Sequence, residues 1–258
     1  MLSLLLSNDD GYQAQGINQL KDFLKARYKI TLIAPQEERS TTGHSLSLDK
    51  PLRVEEVGER VYFCSGYPAD CVLMGIGHLM KGELPDVVIS GINRGANLGQ
   101  DLFYSGTIAA AREAAFHRIP SIAVSLVLKP GLKETYYQTA AAAVDYLLQA
   151  EVHKLIPPYT LLNLNVPNLA LSEIKGFKLS DIGFRNYSEE IHERIDARNR
   201  SYYWIAGQLK GHFENGHTDC EAVANQFISV THQRLVSFSE DYSSDLKMKL
   251  KEINDQYF

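Results

Sequence analysis

The sequence predicts an α/β protein with a doubly wound, mostly parallel sheet in a Rossmann-like three-layer arrangement. Short, continuous apolar runs alternate with helix-forming segments over residues 1–166, and polar residues follow several of the runs. Unbroken apolar runs are typical of strands buried on both faces of a parallel sheet, and their alternation with helices is typical of βαβ units. With 258 residues and 45% hydrophobic content, the chain can bury a sizeable core.

The first β-loop-α-β unit occupies the N-terminal part of the chain. Residues 2–6 form an apolar run that ends at a polar segment, and residues 30–34 form a second run closed by Pro35. Between them, apolar residues recur at the spacing of one helix face, which predicts a helix over 14–27. Residues 35–50 are polar and rich in Ser, Thr and Gly, and a loop of that length in a compact domain is usually functional or disordered.

The later elements continue the alternation and then change character. Residues 170–210 combine aromatic and charged stretches, which favours extended antiparallel arms, and residues 241–256 suit a charged terminal helix. We therefore predict an α/β core over 1–169 and, over 170–258, an oligomerisation arm, a hairpin and a C-terminal helix that complete a single domain. A projecting arm and a helix with a thin apolar stripe favour exchange between subunits. The strands predicted after the loop are 52–57, 60–64, 86–90, 121–125 and 161–166, and the helices are 68–80, 107–117 and 136–148.

Charge and composition argue against several classes of protein. The formal net charge of −5 is a poor match for a nucleic-acid polymer, which needs a basic face, but it permits a small phosphorylated ligand. Cys64, Cys71 and Cys220 match no zinc or disulfide spacing, which favours a reducing compartment. The N-terminal apolar run is too short for a signal peptide, and no stretch approaches the roughly 20 apolar residues of a membrane span. We therefore expect a cytoplasmic protein with no membrane partner.

Polar side chains follow three of the predicted strands. Asp9 and Asp10 come directly after the first strand, and Ser40 lies in the loop after the second. Asn93 and Asn97 lie in the glycine-rich loop that follows a later buried strand. Because ligands of an open α/β sheet bind outside the carboxyl ends of its strands, we expect these side chains to converge. Their oxygen atoms suit a hard cation such as Mg²⁺, Mn²⁺ or Ca²⁺, which would also relieve the repulsion between the adjacent aspartates.

A further polar segment, Ser105-Gly106-Thr107, opens an alanine-rich helix. Backbone N–H groups at a helix N-terminus form an anion site when a small residue allows close approach. Taken alone, this segment also fits an ordinary N-cap, and the paired aspartates also fit a solvated turn before a helix. Together, the segments fall after strands of one sheet and favour a cation beside a phosphate, an arrangement suited to phosphate ester hydrolysis.

Other candidate residues have simpler interpretations. His44 could act as a general acid, but we expect a solvent-exposed loop histidine. Cys71 could be a thiolate nucleophile, but a buried structural cysteine is favoured because no histidine lies in a suitable local pattern. Asp70 is expected to cap or anchor the helix over 68–80. The glycine-rich loop over 91–99 matches neither a dinucleotide-binding fingerprint nor a Walker A motif.

Several of these segments occur together in one known family, and by them the sequence resembles the stationary-phase survival protein (SurE) family over nearly its whole length. The most specific pair is Asn8-Asp9-Asp10-Gly11 with Ser90-Gly91-Ile92-Asn93 continuing through Asn97 and Gly99 to Tyr104-Ser105-Gly106-Thr107. The other matching segments are Ala34-Pro35 with Ser40, Pro68-Ala69-Asp70-Cys71-Val72, Arg185-Asn186-Tyr187, Tyr202-Tyr203-Trp204, and Thr218-Asp219 leading to Ser229-Val230-Thr231.

The resemblance implies a 5′-nucleotidase that hydrolyses nucleoside 5′-monophosphates with one divalent metal ion per subunit, Mg²⁺ or Mn²⁺. It also implies some action on 3′-nucleotides and short polyphosphates, and assembly as a homodimer or homotetramer through swapped C-terminal segments. Asp9 and Asp10 would be catalytic. By motif position, the metal would be held by Asp9, Asp10, Ser40 and Asn93, and the phosphate by Asn97, Ser105, Gly106 and Thr107.

The chain departs from the family pattern at three places, and two rival functions stay open. Thr41 stands where a glycine is usual, Gly66-Tyr67-Pro68 replaces Gly-Thr-Pro, and Phe116-His117-Arg118 replaces a glycine-containing stretch. One rival is a haloacid-dehalogenase-type phosphatase, whose Asp-x-Asp pattern the adjacent aspartates do not match. The other is a non-catalytic nucleotide-binding sensor. The sequence also leaves open whether water or an aspartate carboxylate attacks the phosphorus.

Overall fold

The computed structural model describes residues 1–128, 131, 134–188 and 190–236, together with 244, 248 and 251. Most of the predicted terminal helix over 241–256, including its apolar positions Leu246, Leu250 and Ile253, lies outside these residues. Within the described part of the chain, no helix combines the length and the apolar character needed to cross a membrane.

Strands and helices alternate through the first two thirds of the chain, as predicted. The described strands are β1 (Ser3–Ser7), β2 (Lys29–Pro35), β3 (Val54–Gly58), β4 (Val61–Cys64), β5 (Val87–Arg94), β6 (Ser121–Val127), β7 (Thr160–Pro167), β8 (Phe177–Leu179), β9 (Arg185–Tyr187), β10 (Glu190–Ile195), β11 (Ser201–Ala206), β12 (Leu209–His212) and β13 (Ile228–Arg234). The described α-helices are α1 (Gln15–Leu24), α2 (Pro68–Met74), α3 (Gly106–Phe116), α4 (Tyr137–Gln149) and α5 (Asp219–Ala224).

Nine strands form the main sheet, in the order β3-β4-β2-β1-β5-β6-β7-β13-β8. The strands from β4 to β7 in this order all run parallel to their neighbours, whereas β3 and β13 are antiparallel to β4 and β7. The predicted doubly wound, mostly parallel sheet is therefore confirmed. The chain leaves β1 for β2 on one side and later returns to β5 on the other. This reversal creates a topological switch point between β1 and β5, where ligands bind in such sheets.

Helices cover both faces of the sheet and bury β1 between them. Leu4 and Leu6 pack into the core beneath α1 and α4, whereas Leu5 packs into the core beneath α2 and α3. All three leucines are fully buried. Because successive strand residues point to opposite faces, burial on both sides accounts for the unbroken apolar run seen in the sequence.

The first helix is shorter than predicted. It ends at Leu24 instead of continuing to the end of the expected span, 14–27. Beyond its end the chain turns toward α4, where the side chains of Arg27 and Tyr28 both donate hydrogen bonds to Asp145. These two tertiary contacts require a turn at residues where local helix propensity alone would continue the helix.

The second predicted helix, 68–80, changes its winding partway along. It is α-helical only as far as Met74 and continues as a π-helical segment over Gly75–Leu79. The change begins where Gly75 lies against Leu5 of the sheet, so closely that an added Cβ would lie 2.7 Å from the leucine side chain. Direct packing of helix backbone on the sheet therefore accompanies the change.

The C-terminal part of the chain completes the main sheet, which the sequence analysis missed. β13 pairs with β7, and β8 pairs in parallel with β13, so part of the segment expected only as antiparallel arms lies in the sheet. Two smaller antiparallel pairs, β9 with β12 and β10 with β11, lie outside it, as expected. We call the β10–β11 hairpin the arm. The boundary between an α/β core over 1–169 and a second part over 170–258 stays a prediction.

Candidate functional site

A cavity of about 850 Å³ lies at the switch point of the sheet, beside the carboxyl ends of β1 and β5. Six of the eight residues predicted to form a site line it, and they come from three separate segments of the chain: Asp9, Asp10, Ser40, Asn93, Asn97 and Ser105. The sequence analysis assigned no role to the other lining residues, which are Glu38, Thr41, Arg94, Gly95, Ala96, Asp101, Tyr104 and Ile205. Gly106 and Thr107, which were predicted to bind phosphate, are not among the lining residues.

The turn after β1 holds the two aspartates in place. The side chain of Asn8 closes this turn, since its Nδ2 donates to the Gly11 carbonyl at 2.9 Å and its Oδ1 accepts from the Gly11 N–H at 3.1 Å. Gly11 has a φ of +97°, a backbone conformation that side chains disfavour. A closed turn between Asn8 and Gly11 therefore presents Asp9 and Asp10 at a fixed position beside the cavity.

Asp9 is only 4% exposed and lies against the start of α3. Its Oδ1 accepts a hydrogen bond from the Thr107 hydroxyl, so Thr107 supports the aspartate from behind the cavity wall. Burial raises the pKa of Asp9 from its usual 3.8 to about 6; the Thr107 hydrogen bond opposes this rise, and the neighbouring Asp10 carboxylate adds to it. In the absence of a cation, the site therefore disfavours the charged form of Asp9.

Asp10 contacts the end of β5. Its Oδ2 accepts a hydrogen bond from the Arg94 backbone N–H at 3.2 Å. Burial raises the pKa of Asp10, the Arg94 hydrogen bond opposes the rise, and the Glu38 carboxylate adds to it. Asp9, Asp10 and Glu38 thus bring three carboxyl groups to one cavity, an arrangement that a bound cation would stabilise.

The two predicted asparagines at the carboxyl end of β5 have different environments. The strand continues beyond the predicted 86–90 as far as Arg94 and includes Asn93, whereas Asn97 lies in the loop that follows, the β5 loop. Asn93 donates from Nδ2 to the Gly95 carbonyl at 3.0 Å, so its amide oxygen is the end that can serve a ligand. Asn97 is held by Asn165, whose Oδ1 accepts from the Asn97 backbone N–H at 2.8 Å and whose Nδ2 donates to the Asn97 carbonyl at 3.0 Å. The side chain of Asn97 in turn donates to Ser125 Oγ at 2.8 Å.

These contacts belong to a buried polar network that the sequence analysis missed. Asn163 and Asn165 lie two positions apart on β7, and the Asn163 amide also donates to the Asn97 carbonyl at 2.9 Å. Removing one partner from such a network leaves a buried polar group unsatisfied, which costs about 1–3 kcal/mol. Amide side chains at alternate positions of an otherwise apolar strand are the feature of the sequence from which the network could have been inferred.

The start of α3 forms another part of the cavity wall. Ser105 is its N-cap, and the Ser105 hydroxyl accepts a hydrogen bond from the Ile108 N–H at 3.1 Å. Gly106 follows, and a Cβ added there would lie 2.7 Å from the Cβ of Asp9 and 3.0 Å from Asp9 Oδ2. The absence of a side chain at position 106 is therefore what allows the helix start and the aspartate to lie side by side.

Charged contacts hold the chain next to the arm against the rim of the cavity. Asp101 Oδ2 accepts hydrogen bonds from Arg185 Nη1 and from the Tyr187 hydroxyl, and the Arg185 guanidinium lies 5.4 Å from the centre of the Tyr187 ring. Burial raises the pKa of Tyr187 to about 12, and its hydrogen bond to Asp101 adds to the rise. Ile205 on the arm, 93% exposed, lines the cavity from this side.

The simpler expectations for residues near the site have mixed outcomes. Cys71 is buried, as expected. Asp70 anchors its helix, since its Oδ2 accepts from the Tyr67 N–H at 2.9 Å. The expectation for His44 is wrong: its side chain is only 19% exposed, and its Nε2 lies 2.7 Å from Oε2 of Glu113 on α3. The histidine is largely buried because it contacts a buried carboxylate on α3. That partner is distant in the sequence, so local patterns could not predict the contact.

The oxygen donors at the cavity fit a hard divalent cation. Among the described residues, no group of three or more His, Cys, Asp and Glu could by itself hold a metal ion, so an ion here would need neutral oxygens beside carboxylates. Ser40 Oγ donates a hydrogen bond to Glu38 Oε1 at 2.7 Å, which leaves the lone pairs of the serine oxygen available to a cation. Mg²⁺ and Mn²⁺ accept such mixed oxygen ligands and Mg²⁺ usually retains several waters, whereas zinc favours nitrogen and sulfur.

Comparisons with known proteins find similar chains and a similar fold. The family model described as Survival protein SurE matches residues 4–189. A 5′-nucleotidase SurE from Thermosynechococcus vestitus is 42% identical over 241 residues, covering 89% of each chain. Another 5′-nucleotidase SurE, from Thermosipho africanus, is 39% identical over 261 residues, covering 99% of this chain and 98% of the relative. The crystal structure of the SurE protein from Aquifex aeolicus has a TM-score of 0.84 at 35% identity, covering 96% of this chain and 99% of that chain.

Proposed function

This chain belongs to the SurE family, and we propose that it is a divalent-metal-dependent 5′-nucleotidase that hydrolyses nucleoside 5′-monophosphates to nucleoside and phosphate. The observation that carries the proposal is the convergence of aspartate, serine and asparagine side chains from three segments on one cavity at the switch point. Relatives with the name 5′-nucleotidase SurE, aligned over most of their length, support it. Membership of this family also sets aside the haloacid-dehalogenase alternative.

We propose that one Mg²⁺ or Mn²⁺ ion is held by Asp9, Asp10, Ser40 and Asn93. When bound, such an ion supplies Lewis-acid chemistry, which lowers the pKa of a coordinated water and offsets negative charge on the phosphoryl group. The chain's own contribution is to hold the ligands in place. Thr107 fixes one oxygen of Asp9, and the Arg94 backbone N–H fixes one oxygen of Asp10.

The phosphate is proposed to lie between the β5 loop and the start of α3. Asn97, Ser105 and the backbone N–H groups of Gly106 and Thr107 are the proposed phosphate ligands, supported by the partial positive charge of a helix N-terminus. The side chain of Thr107 has a separate role, since it donates to Asp9. The nucleoside would then extend toward the rim, where Tyr104 and Ile205 offer the apolar surface that a base requires.

Phosphate release from a panel of nucleotides tests the proposed function. The purified protein is expected to release phosphate from nucleoside 5′-monophosphates when Mg²⁺ or Mn²⁺ is present, and to lose this activity in EDTA, because the carboxylates alone cannot offset the charge of the transferring group. Excess Mn²⁺ added after EDTA should restore it. The panel includes 3′-nucleotides and short polyphosphate as secondary substrates. The Asp10→Asn variant serves as the control for a contaminating phosphatase.

Each other outcome of this assay contradicts part of the proposal. Tight nucleotide binding without phosphate release would identify the non-catalytic sensor instead. Full activity in EDTA would refute the metal requirement, and wild-type activity in the Asp10→Asn variant would place the chemistry elsewhere.

The protein is also proposed to be a homodimer or homotetramer, assembled in part through the arm. Apolar side chains at Ile191, Ile195, Tyr203, Trp204 and Ile205 are largely exposed in the isolated chain, and such a surface usually marks an interaction site. Sedimentation velocity at micromolar concentration is expected to give a mass at least twice the 28.9 kDa of one chain. A single species at the monomer mass would refute the assembly.

A cytoplasmic location is proposed as well. Cys64, Cys71 and Cys220 are all free and buried, and thiols without disulfide partners suit a reducing compartment. Cell fractionation would test this location, and recovery of the protein outside the cytoplasmic fraction would refute it.

A further inference from the structure

We infer that His44 and Glu113 are positioning residues, which hold the Ser40 loop against α3 and thereby set the affinity of the site for its metal ion. The Ser40 loop is defined as residues 36–50. The inference rests on the proposed function, because Ser40 is a proposed metal ligand. It concerns a contact between two residues that do not line the cavity.

The Ser40 loop has no regular secondary structure, and its side-chain hydrogen bonds join mainly neighbouring residues of the loop. None of its residues lies in a helix or a strand, yet it brings Glu38, Ser40 and Thr41 to the cavity. The Ser40 hydroxyl donates to Glu38, a residue of the same loop, and this bond cannot fix the serine relative to Asp9. The position of Ser40 must therefore come from the contacts that the loop makes with other elements.

Those contacts flank Ser40 on both sides. Before it, the Arg39 N–H donates to the Asp9 carbonyl at 2.7 Å; after it, the Gly43 N–H donates to the Tyr104 carbonyl at 3.0 Å. The chain turns sharply in between, with a φ of +55° at both Thr41 and Gly43. The Thr42 hydroxyl also closes this turn from within by donating to the Arg39 carbonyl at 2.9 Å. Because that bond joins two residues of the same loop, the far end of the turn still depends on the next contact with another element.

That next contact is the one between His44 and Glu113. It spans 2.7 Å between His44 Nε2 and Glu113 Oε2, and it joins residues 69 positions apart in the sequence. The His44 ring also packs near Phe116, with 5.7 Å between ring centres. Glu113 is buried, so its carboxyl group needs a partner inside the protein. The contact is therefore well placed to fix the loop.

His117 provides an internal control for this contact. Its Nε2 lies 3.4 Å from the other oxygen of Glu113, and its side chain is 44% exposed. It directly follows the helix that carries Glu113, and this contact does not connect that helix to the Ser40 loop. Loss of the His117 side chain therefore tests a weaker contact to the same carboxyl group without releasing the loop.

The test measures Mn²⁺ binding to the purified full chain without substrate, from the electron paramagnetic resonance signal of free Mn²⁺. The variants His44→Ala, Glu113→Ala and the double variant are each expected to bind Mn²⁺ about 10–100-fold more weakly than wild type, as is usual when an outer support of a metal site is lost. Because all three lose the same contact, the double variant should be no weaker than the weaker single variant. The concentration of Mn²⁺ that half-activates phosphate release should rise in parallel, with kcat at saturating Mn²⁺ changed less.

Two further variants separate positioning from general damage. Glu113→Gln should bind Mn²⁺ as wild type does, because its amide oxygen can accept the same hydrogen bond from His44. His117→Ala should also match wild type. His44 lies on a loop, so the His44→Ala variant is expected to fold even if the Glu113→Ala variant does not. An unchanged melting temperature of the His44→Ala variant in EDTA would show this.

Wild-type affinity for Mn²⁺ in His44→Ala would overturn the inference, as would effects of the single variants that multiply in the double variant. Equal weakening by His117→Ala would also overturn it. These outcomes leave the proposed function intact as long as wild type binds Mn²⁺ and releases phosphate. If wild type fails to bind Mn²⁺ or fails to release phosphate, the proposed function is refuted, and the inference that rests on it is refuted as well.

Discussion

Replacing Asp9 by Asn is expected to lower phosphate release by about 10²–10³-fold or more, the scale seen when one electrostatic contact to a transition state is lost. The change keeps the shape of the side chain, and the amide oxygen can still accept the hydrogen bond from Thr107. What it removes is the negative charge that a divalent cation would bind. The loss should therefore appear in a protein that remains folded.

The same substitution is expected to stabilise the metal-free protein at neutral pH. In the folded state the pKa of Asp9 is about 6, above its usual 3.8, so folding favours the protonated form. The stability linked to this group is fully present below about pH 3.8 and is lost as the pH rises through about 6. At pH 7.5 the charged side chain costs on the order of 3 kcal/mol of folding free energy, and the neutral amide avoids this cost.

Thermal unfolding in EDTA, followed at several pH values, measures this stabilisation. Asp9→Asn should melt above wild type at pH 7.5, and the difference should shrink as the pH falls toward 4. Asp22→Asn on α1 is the matched control, since Asp22 is exposed and pairs with Lys25, which is also exposed. It should leave both turnover and melting nearly unchanged. A metal-free Asp9→Asn protein that is less stable than wild type, or that retains wild-type turnover, would contradict the role given to Asp9.

The parts of the fold that the sequence predicted are those with a local cause. The buried leucines of β1 face both layers, which their unbroken run implied. Asp9 and Asp10 follow the end of β1, and Asn93 lies at the carboxyl end of β5, so the rule for open sheets was enough to bring them together. Even without knowledge of the fold's details, strand ends followed by oxygen-bearing side chains indicated a hard-cation site.

The parts that could not be predicted depend on contacts between distant residues. Arg185 donates a hydrogen bond to Asp101, which lies 84 positions away in the sequence. Asn165 accepts one from the backbone of Asn97, which lies 68 positions away. His44 was expected in solvent because its partner, Glu113, lies 69 positions away. In each pair, the local sequence permits many environments, and only the packed tertiary structure selects one of them. These same long-range contacts determine how precisely the cavity-lining side chains are held, which is why the residues that line the cavity were easier to predict than their supports.

Gly106→Ala is the second substitution with a large expected effect. We expect it to destabilise the protein, whereas replacing glycine by alanine in a helix usually stabilises it. Alanine at a helical position usually stabilises by up to about 1 kcal/mol relative to glycine. At position 106 the added Cβ would lie 2.7 Å from the Cβ of Asp9 and 3.0 Å from Asp9 Oδ2. Either the helix start or the aspartate must move, and a displacement of about 1 Å in an active site can lower the rate by about 10²-fold.

We therefore expect Gly106→Ala to lower phosphate release by about 10²-fold, comparable to misplacing a substrate-positioning group, and to lower the melting temperature as well. Gly77→Ala is the matched control, because a Cβ there would meet nothing within 4 Å. It should preserve activity and leave the melting temperature equal or higher. If Gly106→Ala behaved like this control, the start of α3 and Asp9 could not be in the close contact from which the arrangement of phosphate beside metal is inferred.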